Sequence, residues 1–173
     1  MRKRMGKLAL AVSAMTTGGV AMAATDSANL AVAATVENTC AIGPGTLGFG
    51  TVRLGVTPGA GTVAASNVDA DSGTSVAVVC TNGAAATIGG DLGANALTTN
   101  RRMLSGTDYL PYQLYTSAAR TTALDTSTGV IAYAGTGSSG SVTIYGRIAG
   151  TDLAAAPKGS YSDTVALTIN YTP

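Results

Sequence analysis

The sequence predicts an all-β sandwich, and three observations carry the prediction. Short segments alternate apolar and polar residues, turn residues punctuate them roughly every ten positions, and β-compatible small residues dominate. Charge is sparse: Asp, Glu, Lys and Arg make up 11% of the 173 residues, which include 23 glycines and no tryptophan.

Met1-Arg2-Lys3-Arg4 and Lys7 precede an apolar run from Leu8 to Met15, and small residues then lead to Ala21-Met22-Ala23. A basic start, a short apolar stretch and an A-x-A exit predict a secretory signal peptide over residues 1–23. The apolar run falls short of the roughly 20 residues that a membrane span needs. Cleavage after Ala23 leaves 150 residues, one domain's worth. Four of the ten basic residues leave with the leader and all nine acidic residues stay, so the mature chain carries −3 where the whole chain carries +1. That balance argues against nucleic-acid binding, since phosphate neutralisation needs a basic surface.

The strand candidates follow in order. Leu30, Val32, Ala34 and Val36 share one face of an alternating stretch over Ala28–Val36. Leu47 to Leu54 is a second candidate. Val76, Val78 and Cys80 alternate with Ala77 and Val79, and Leu110 to Thr116 is a tyrosine-rich candidate. Val142, Ile144 and Ile148 alternate with Thr143, Tyr145 and Arg147. Val165, Leu167, Ile169 and Tyr171 alternate with Ala166, Thr168 and Asn170. Period two places each set on one side of a strand. Thr57-Pro58-Gly59, Asn82-Gly83 and Gly135 to Gly140 read as turns, and Ala84 to Asn100 is too rich in Gly and Ala to assign. No repeat of solenoid period and no second domain is visible.

Cys40 and Cys80 are the two cysteines. An even count in an exported chain predicts one disulfide. Closing a loop of about forty residues contributes roughly 4 kcal/mol on the chain-entropy estimate.

No catalytic set emerges. The absence of histidine removes Ser-His and Cys-His nucleophile systems. The acids are scattered in turn-like settings such as Asp69, Asp71 and Asp125, where turn hydrogen bonds account for them. Gly135-Thr136-Gly137-Ser138-Ser139-Gly140 matches G-x-G-x-x-G, but a strand candidate follows where a dinucleotide site needs a helix, so a hairpin loop is expected. Arg101-Arg102 reads as a solvated loop or a partner contact. Asn170-Tyr171-Thr172 fits a glycosylation sequon but lies in a strand candidate. Tyr109, Tyr112 and Tyr115 fall on mixed faces, so no stacking platform forms. The expectation is a non-enzymatic protein with no cofactor, metal or small-molecule substrate.

About seven strands suit an immunoglobulin-like sandwich, yet the sequence given stops just after the Thr164–Tyr171 candidate, leaving that strand's edge uncovered. An alternating stretch stands spare before the first cysteine. Together these suggest strand exchange between molecules.

Several fragments, in order and spacing, carry a family resemblance: Cys40-Ala41-Ile42, Phe49-Gly50, Val78-Val79-Cys80-Thr81, Arg102-Met103 leading to Tyr112-Gln113-Leu114-Tyr115, Ile144-Tyr145-Gly146-Arg147-Ile148, and Gly159-Ser160-Tyr161-Ser162-Asp163-Thr164-Val165. The pattern resembles the spore coat protein U-like domain found in major subunits of archaic chaperone–usher pili. One departure is Ala123-Leu124-Asp125, where many relatives carry tryptophan-glycine. The resemblance implies an incomplete immunoglobulin-like sandwich completed by a donor strand from a neighbouring subunit. Residues 24–36 would be the donor segment and 37–173 the pilin domain, with Leu30, Val32, Ala34 and Val36 inserting and Val165, Leu167 and Ile169 in the acceptor groove. Burying Leu30, Val32 and Val36 at roughly 1.5–3 kcal/mol each gives on the order of 5–9 kcal/mol. Implied partners are identical or related pilin subunits, a periplasmic chaperone and an outer-membrane usher. Implied location is the periplasm and then the cell-surface pilus, with adhesion and biofilm formation as the role. A spore or cell-surface coat protein assembled by the same route is the alternative, and a tip adhesin would need a further binding domain.

Overall fold

The structure is a computed structural model in which residues 25–51 and 68–173 are described. The chain divides into two compact units, Met1–Thr35 and Val36–Pro173. In the first, residues 25–35 carry no helix or strand and are exposed.

Among the described residues, the second unit holds eight strands and one short helix: β1 (Cys40–Ile42), β2 (Ala70–Cys80), β3 (Ala85–Gly90), β4 (Arg101–Ser105), β5 (Asp108–Tyr115), β6 (Ile131–Ala134), β7 (Ser139–Ile148), α1 (Gly150–Ala155) and β8 (Leu167–Tyr171). They form a five-stranded sheet ordered β1-β2-β7-β5-β4 and a three-stranded sheet ordered β6-β3-β8, every pairing antiparallel.

Alternation does the sorting. Val76, Val78 and Cys80 of β2 point inward beside Val142 and Ile144 of β7 and Leu114 of β5, while Ala77, Val79 and Ser141 face solvent. Register sets Val76 opposite Val142 and Thr74 opposite Ile144. Ala86 and Ile88 of β3 pack against this face from the other sheet, with Ile131, Tyr133, Leu167 and Ile169 at the flanks. Each buried aliphatic side chain contributes about 1.5–3 kcal/mol, so this shared cluster holds the two layers together. A smaller cluster of Leu110, Ile148 and Leu153 seats α1 at one end.

Glycines allow the close passages. A Cβ on Gly89 would lie 2.5 Å from the Asp125 carbonyl oxygen, and one on Gly135 would lie 2.1 Å from that of Thr81. Gly83, at φ +83°, turns the chain out of β2.

Several expectations change. The Gly135–Gly140 segment is not a hairpin loop: β6 and β7 lie in different sheets, and the segment crosses between them. It is held by Gly135 N–H to the Ala84 carbonyl at 2.7 Å and Gly137 N–H to the Cys80 carbonyl at 3.0 Å. Leu47 to Thr51 forms no strand, and Val52 to Leu54 lies outside the described residues, as does Thr57-Pro58-Gly59. Leu47 and Phe49 instead pack inward over Gly146, where a Cβ would come within 2.9 and 2.8 Å of them. The last strand begins at Leu167 rather than Thr164. Residues 164–166 bond to a loop, through Ala94 N–H to the Thr164 carbonyl and Asp91 N–H to the Ala166 carbonyl, both at 3.0 Å. Ala85–Gly90, within the stretch left unassigned, is the central strand of the smaller sheet.

Candidate functional site

Between the sheets lies a cleft of about 410 Å3. Its volume suits several aliphatic side chains, where one water takes roughly 30 Å3. One wall is Val76, Leu114 and Ile144 from the five-stranded sheet; the other is Val165 and Leu167, leading into and opening β8. Leu47 and Phe49 add to the lining, and Tyr112 and Asp163 make it polar at one point.

The β8 wall is also a backbone edge. β8 pairs with β3 on one side and has no strand on the other among the described residues. Both main-chain groups of Ala166 turn toward Asp91: its carbonyl accepts from Asp91 N–H at 3.0 Å, and its N–H donates to Asp91 Oδ1 at 2.9 Å. In an antiparallel ladder the direction alternates by residue, so Thr168 and Asn170 address β3 while Val165, Leu167 and Ile169 address the open edge. Gly90 agrees. It stands opposite Leu167, yet its N–H donates away from β8, to the Asp125 carbonyl at 3.0 Å. The residues whose side chains turn inward therefore also present main-chain donors and acceptors that no strand pairs among the described residues. That combination recognises an extended peptide with alternating apolar side chains.

Polar groups fix the margins. The Tyr112 hydroxyl donates to Asp163 Oδ2 at 2.7 Å, and Asp163 Oδ1 accepts from Asn95 N–H at 3.1 Å and from its side-chain amide at 3.0 Å. Burial, reinforced by the Asp163 bond, pushes the Tyr112 hydroxyl well above the ordinary tyrosine range. Leu104 and Ser162 exchange two main-chain bonds, at 2.9 and 3.1 Å, which covers the β4 edge before the chain moves to the other sheet.

Arg101 is not solvated. It is 1% exposed and donates to the carbonyls of Gly90 (2.9 Å), Asp91 (2.8 Å) and Leu124 (2.8 Å) and to Gln113 Oε1 (2.5 Å). Burial lowers its pKa. Arg102 stacks 3.9 Å over the Tyr109 ring. Asp71 is likewise no turn residue: it sits in β2 and takes a forked bond from Arg147 at 2.7 and 2.9 Å, which holds its carboxyl below the usual range. Asp69 meets Arg147 at 3.2 Å. Asp125 does serve a turn, accepting the N–H groups of Ser127, Thr128 and Gly129.

Of the residues singled out in the sequence, Val165 and Leu167 line the cleft, and Ile169 packs in the main cluster beyond it. Leu30, Val32 and Val36 are 87, 84 and 81% exposed, and Ala34 is exposed as well. Cys40 and Cys80 are register partners joined by a disulfide, which pins the three-residue edge strand β1 to β2. Sequence reasoning missed Leu47, Phe49, Tyr112 and Asp163 as lining residues. Phe49, Tyr112 and Asp163 each lie in fragments that carry the resemblance, but the pairing of Asp163 with Tyr112 spans 51 positions.

Known proteins resemble this arrangement. Protein U of Myxococcus xanthus is 35% identical over 161 residues, covering 87% of this chain and 88% of that one. Among solved structures, the CsuC-CsuE chaperone–tip adhesion subunit pre-assembly complex from archaic chaperone-usher Csu pili of Acinetobacter baumannii matches with TM-score 0.50 at 18% identity. That match covers 78% of this chain but 40% of the other, and it shows the shared immunoglobulin-like fold. The Spore Coat Protein U domain model matches residues 26–168. With this family model matched over most of its length and a relative 35% identical along it, the chain belongs to the Spore Coat Protein U domain family, whose members are structural and not enzymes.

Proposed function

We propose that this protein is a structural subunit of a cell-surface pilus of the chaperone–usher type, polymerising head to tail by donor-strand complementation. The observation that carries the reading is the cleft, where Val165 and Leu167 offer both apolar side chains and a main-chain edge that no strand pairs among the described residues. The donor is the 24–36 segment of a neighbouring copy, with Leu30, Val32, Ala34 and Val36 entering the acceptor groove formed by Val165, Leu167 and Ile169. Its exposed apolar residues supply the alternation that such a groove takes. A donor segment meeting an unlike acceptor cleft is a heterologous contact, which propagates into a fibre when the rotation does not close.

Before assembly, a periplasmic chaperone covers the cleft, and an outer-membrane usher passes the subunit to the growing fibre, after export under the 1–23 signal peptide. The likeness to a chaperone-bound pilus subunit supports this route. Adhesion and biofilm formation follow as the role of the fibre. A second reading, a spore or cell-surface coat protein assembled by the same physics, is favoured by the family's description and by the Myxococcus xanthus relative. Electron microscopy of cells producing Leu30→Asp plus Val32→Asp tests the assignment. The variant is expected to fold and to form no fibres, and fibres of normal length and number would refute it. Appendages on vegetative cells favour the pilus; material confined to spores favours the coat.

A further inference from the structure

An incomplete sandwich lacks part of the apolar core that would set the distance between its sheets, so something else must hold the empty cleft at a usable width. We propose that Arg101 is that positioning residue: a buried clamp that joins the two sheets beside the cleft and keeps the β8 wall ready for a donor strand. The occupant of the cleft rests on the reading above, whereas the clamp itself rests on geometry.

Arg101 extends from β4, in the five-stranded sheet, where its register partner is Tyr112 of β5. Its guanidinium reaches the other sheet at the end of β3, through the Gly90 carbonyl at 2.9 Å and the Asp91 carbonyl at 2.8 Å. Toward its own sheet it bonds Gln113 Oε1 at 2.5 Å, and that oxygen also accepts Leu114 N–H at 3.0 Å. Its bond to the Leu124 carbonyl at 2.8 Å brings in a segment that is itself tied to β5, by Leu124 N–H to the Leu114 carbonyl at 2.8 Å.

The clamp connects to the cleft wall in two short steps. Asp91, held by Arg101, accepts Ala166 N–H on its carboxylate and donates its own N–H to the Ala166 carbonyl. Ala166 lies between Val165 and Leu167. Gly90, the other clamped residue, has no side chain, and a Cβ there would meet Val165 and Leu167 at 3.4 Å each and Leu124 at 3.0 Å. Only a planar fork with five donors can serve four acceptors on three segments at once, which lysine cannot reproduce. Replacing Arg101 by an apolar residue strands the Gly90, Asp91 and Leu124 carbonyls inside the protein.

The test uses the subunit purified from the periplasm, with Arg101→Met, Arg101→Lys and Gln113→Leu. Amide hydrogen exchange reads the clamp; capture of a synthetic peptide of residues 28–36 reads the cleft. Expected in Arg101→Met is at least tenfold faster exchange at Ala166 and Thr168, the bonded amides of the cleft wall, unchanged exchange over β2 and β7, and at least tenfold weaker peptide capture. Arg101→Lys is expected to fall between. Unchanged exchange at Ala166 and Thr168, or acceleration spread evenly over every strand, overturns the clamp, because the second result is a general loss of stability. If Arg101→Met yields no folded subunit, Gln113→Leu decides, with the same local acceleration expected and its absence overturning the proposal. A wild-type subunit that captures no peptide refutes the donor-strand reading and leaves the clamp to be judged by exchange alone.

Discussion

The Tyr112 hydroxyl lies 2.7 Å from Asp163 Oδ2, a bond across 51 positions that ties β5 to the segment leading into β8. The pair sits in the cleft lining, so it couples the two walls at their polar point. Tyr112→Phe removes the donor and leaves the carboxylate to Asn95 alone. A hydrogen bond to a charged group contributes about 1.5–3 kcal/mol, and partial exposure here argues for the lower end. Urea denaturation at neutral pH is expected to show that loss. The pair also predicts an alkaline limit. The Tyr112 pKa is raised in the folded state, so its contribution is complete below the ordinary tyrosine value of 10.0 and is lost as pH rises further. An ultraviolet titration should show late tyrosine ionisation, to which Tyr161 also contributes, and Tyr112→Phe should remove the larger part of it.

The disulfide makes a different prediction. Cys40 lies in β1, a three-residue edge strand, and Cys80 lies in the core at the end of β2. Cys40→Ala loses roughly 4 kcal/mol on the chain-entropy estimate and frees a strand too short to pair strongly alone. Periplasmic yield and resistance to protease are expected to fall together. Wild-type yield and resistance would mean that the remaining pairing holds β1 unaided.

Asp125 predicts an acid dependence. Three backbone N–H groups and the Thr128 hydroxyl converge on its carboxylate and lower its pKa from 3.8 to about 2. A depressed carboxylate stabilises above its unfolded pKa and ceases to do so as pH falls through the folded one. The gap in melting temperature between wild type and Asp125→Ala should be full above pH 5 or so and close progressively through the window between 3.8 and about 2. A gap independent of pH would place the role of Asp125 in shape rather than charge.

The surface pairs predict little. Asp71 of β2 and Arg147 of β7 form a partly exposed network with Asp69 and Arg120, which lie outside the strands. Exposed ion pairs contribute about 0–1 kcal/mol and are screened by salt. Arg147→Ala is expected to shift the urea midpoint slightly, and less in 1 M salt.

Which parts of this were legible in the sequence follows from where the signal lies. β2, β7 and β8 each bury one face, so alternation exposed them directly, whereas β5 was marked by its tyrosines and buries no single face. β3 did not announce itself, because Gly89 and Gly90 serve close approach to the 124–126 segment and its alanines give little hydrophobic contrast. β4 looked like a basic loop because Arg101 is satisfied by carbonyls distant in sequence, and no local pattern encodes such partners. The Gly135–Gly140 segment looked like a hairpin because glycine marks a turn without stating which sheet the chain enters next. At the cleft, Val165 and Leu167 were readable from period two, whereas Tyr112 and Asp163 meet only through the fold. The 28–36 alternation is plain in the sequence, and its pairing is a property of two chains rather than one.

The most direct test of the assembly account is residue-resolved amide exchange on β8, comparing isolated and assembled subunits. Thr168 and Asn170 address β3 and should be protected in both. Leu167 and Ile169 address the open edge, so they should exchange rapidly in the isolated subunit and at least tenfold more slowly once assembled. Rapid exchange at Leu167 and Ile169 in assembled material would contradict the account, because no donor strand would then be paired along that edge.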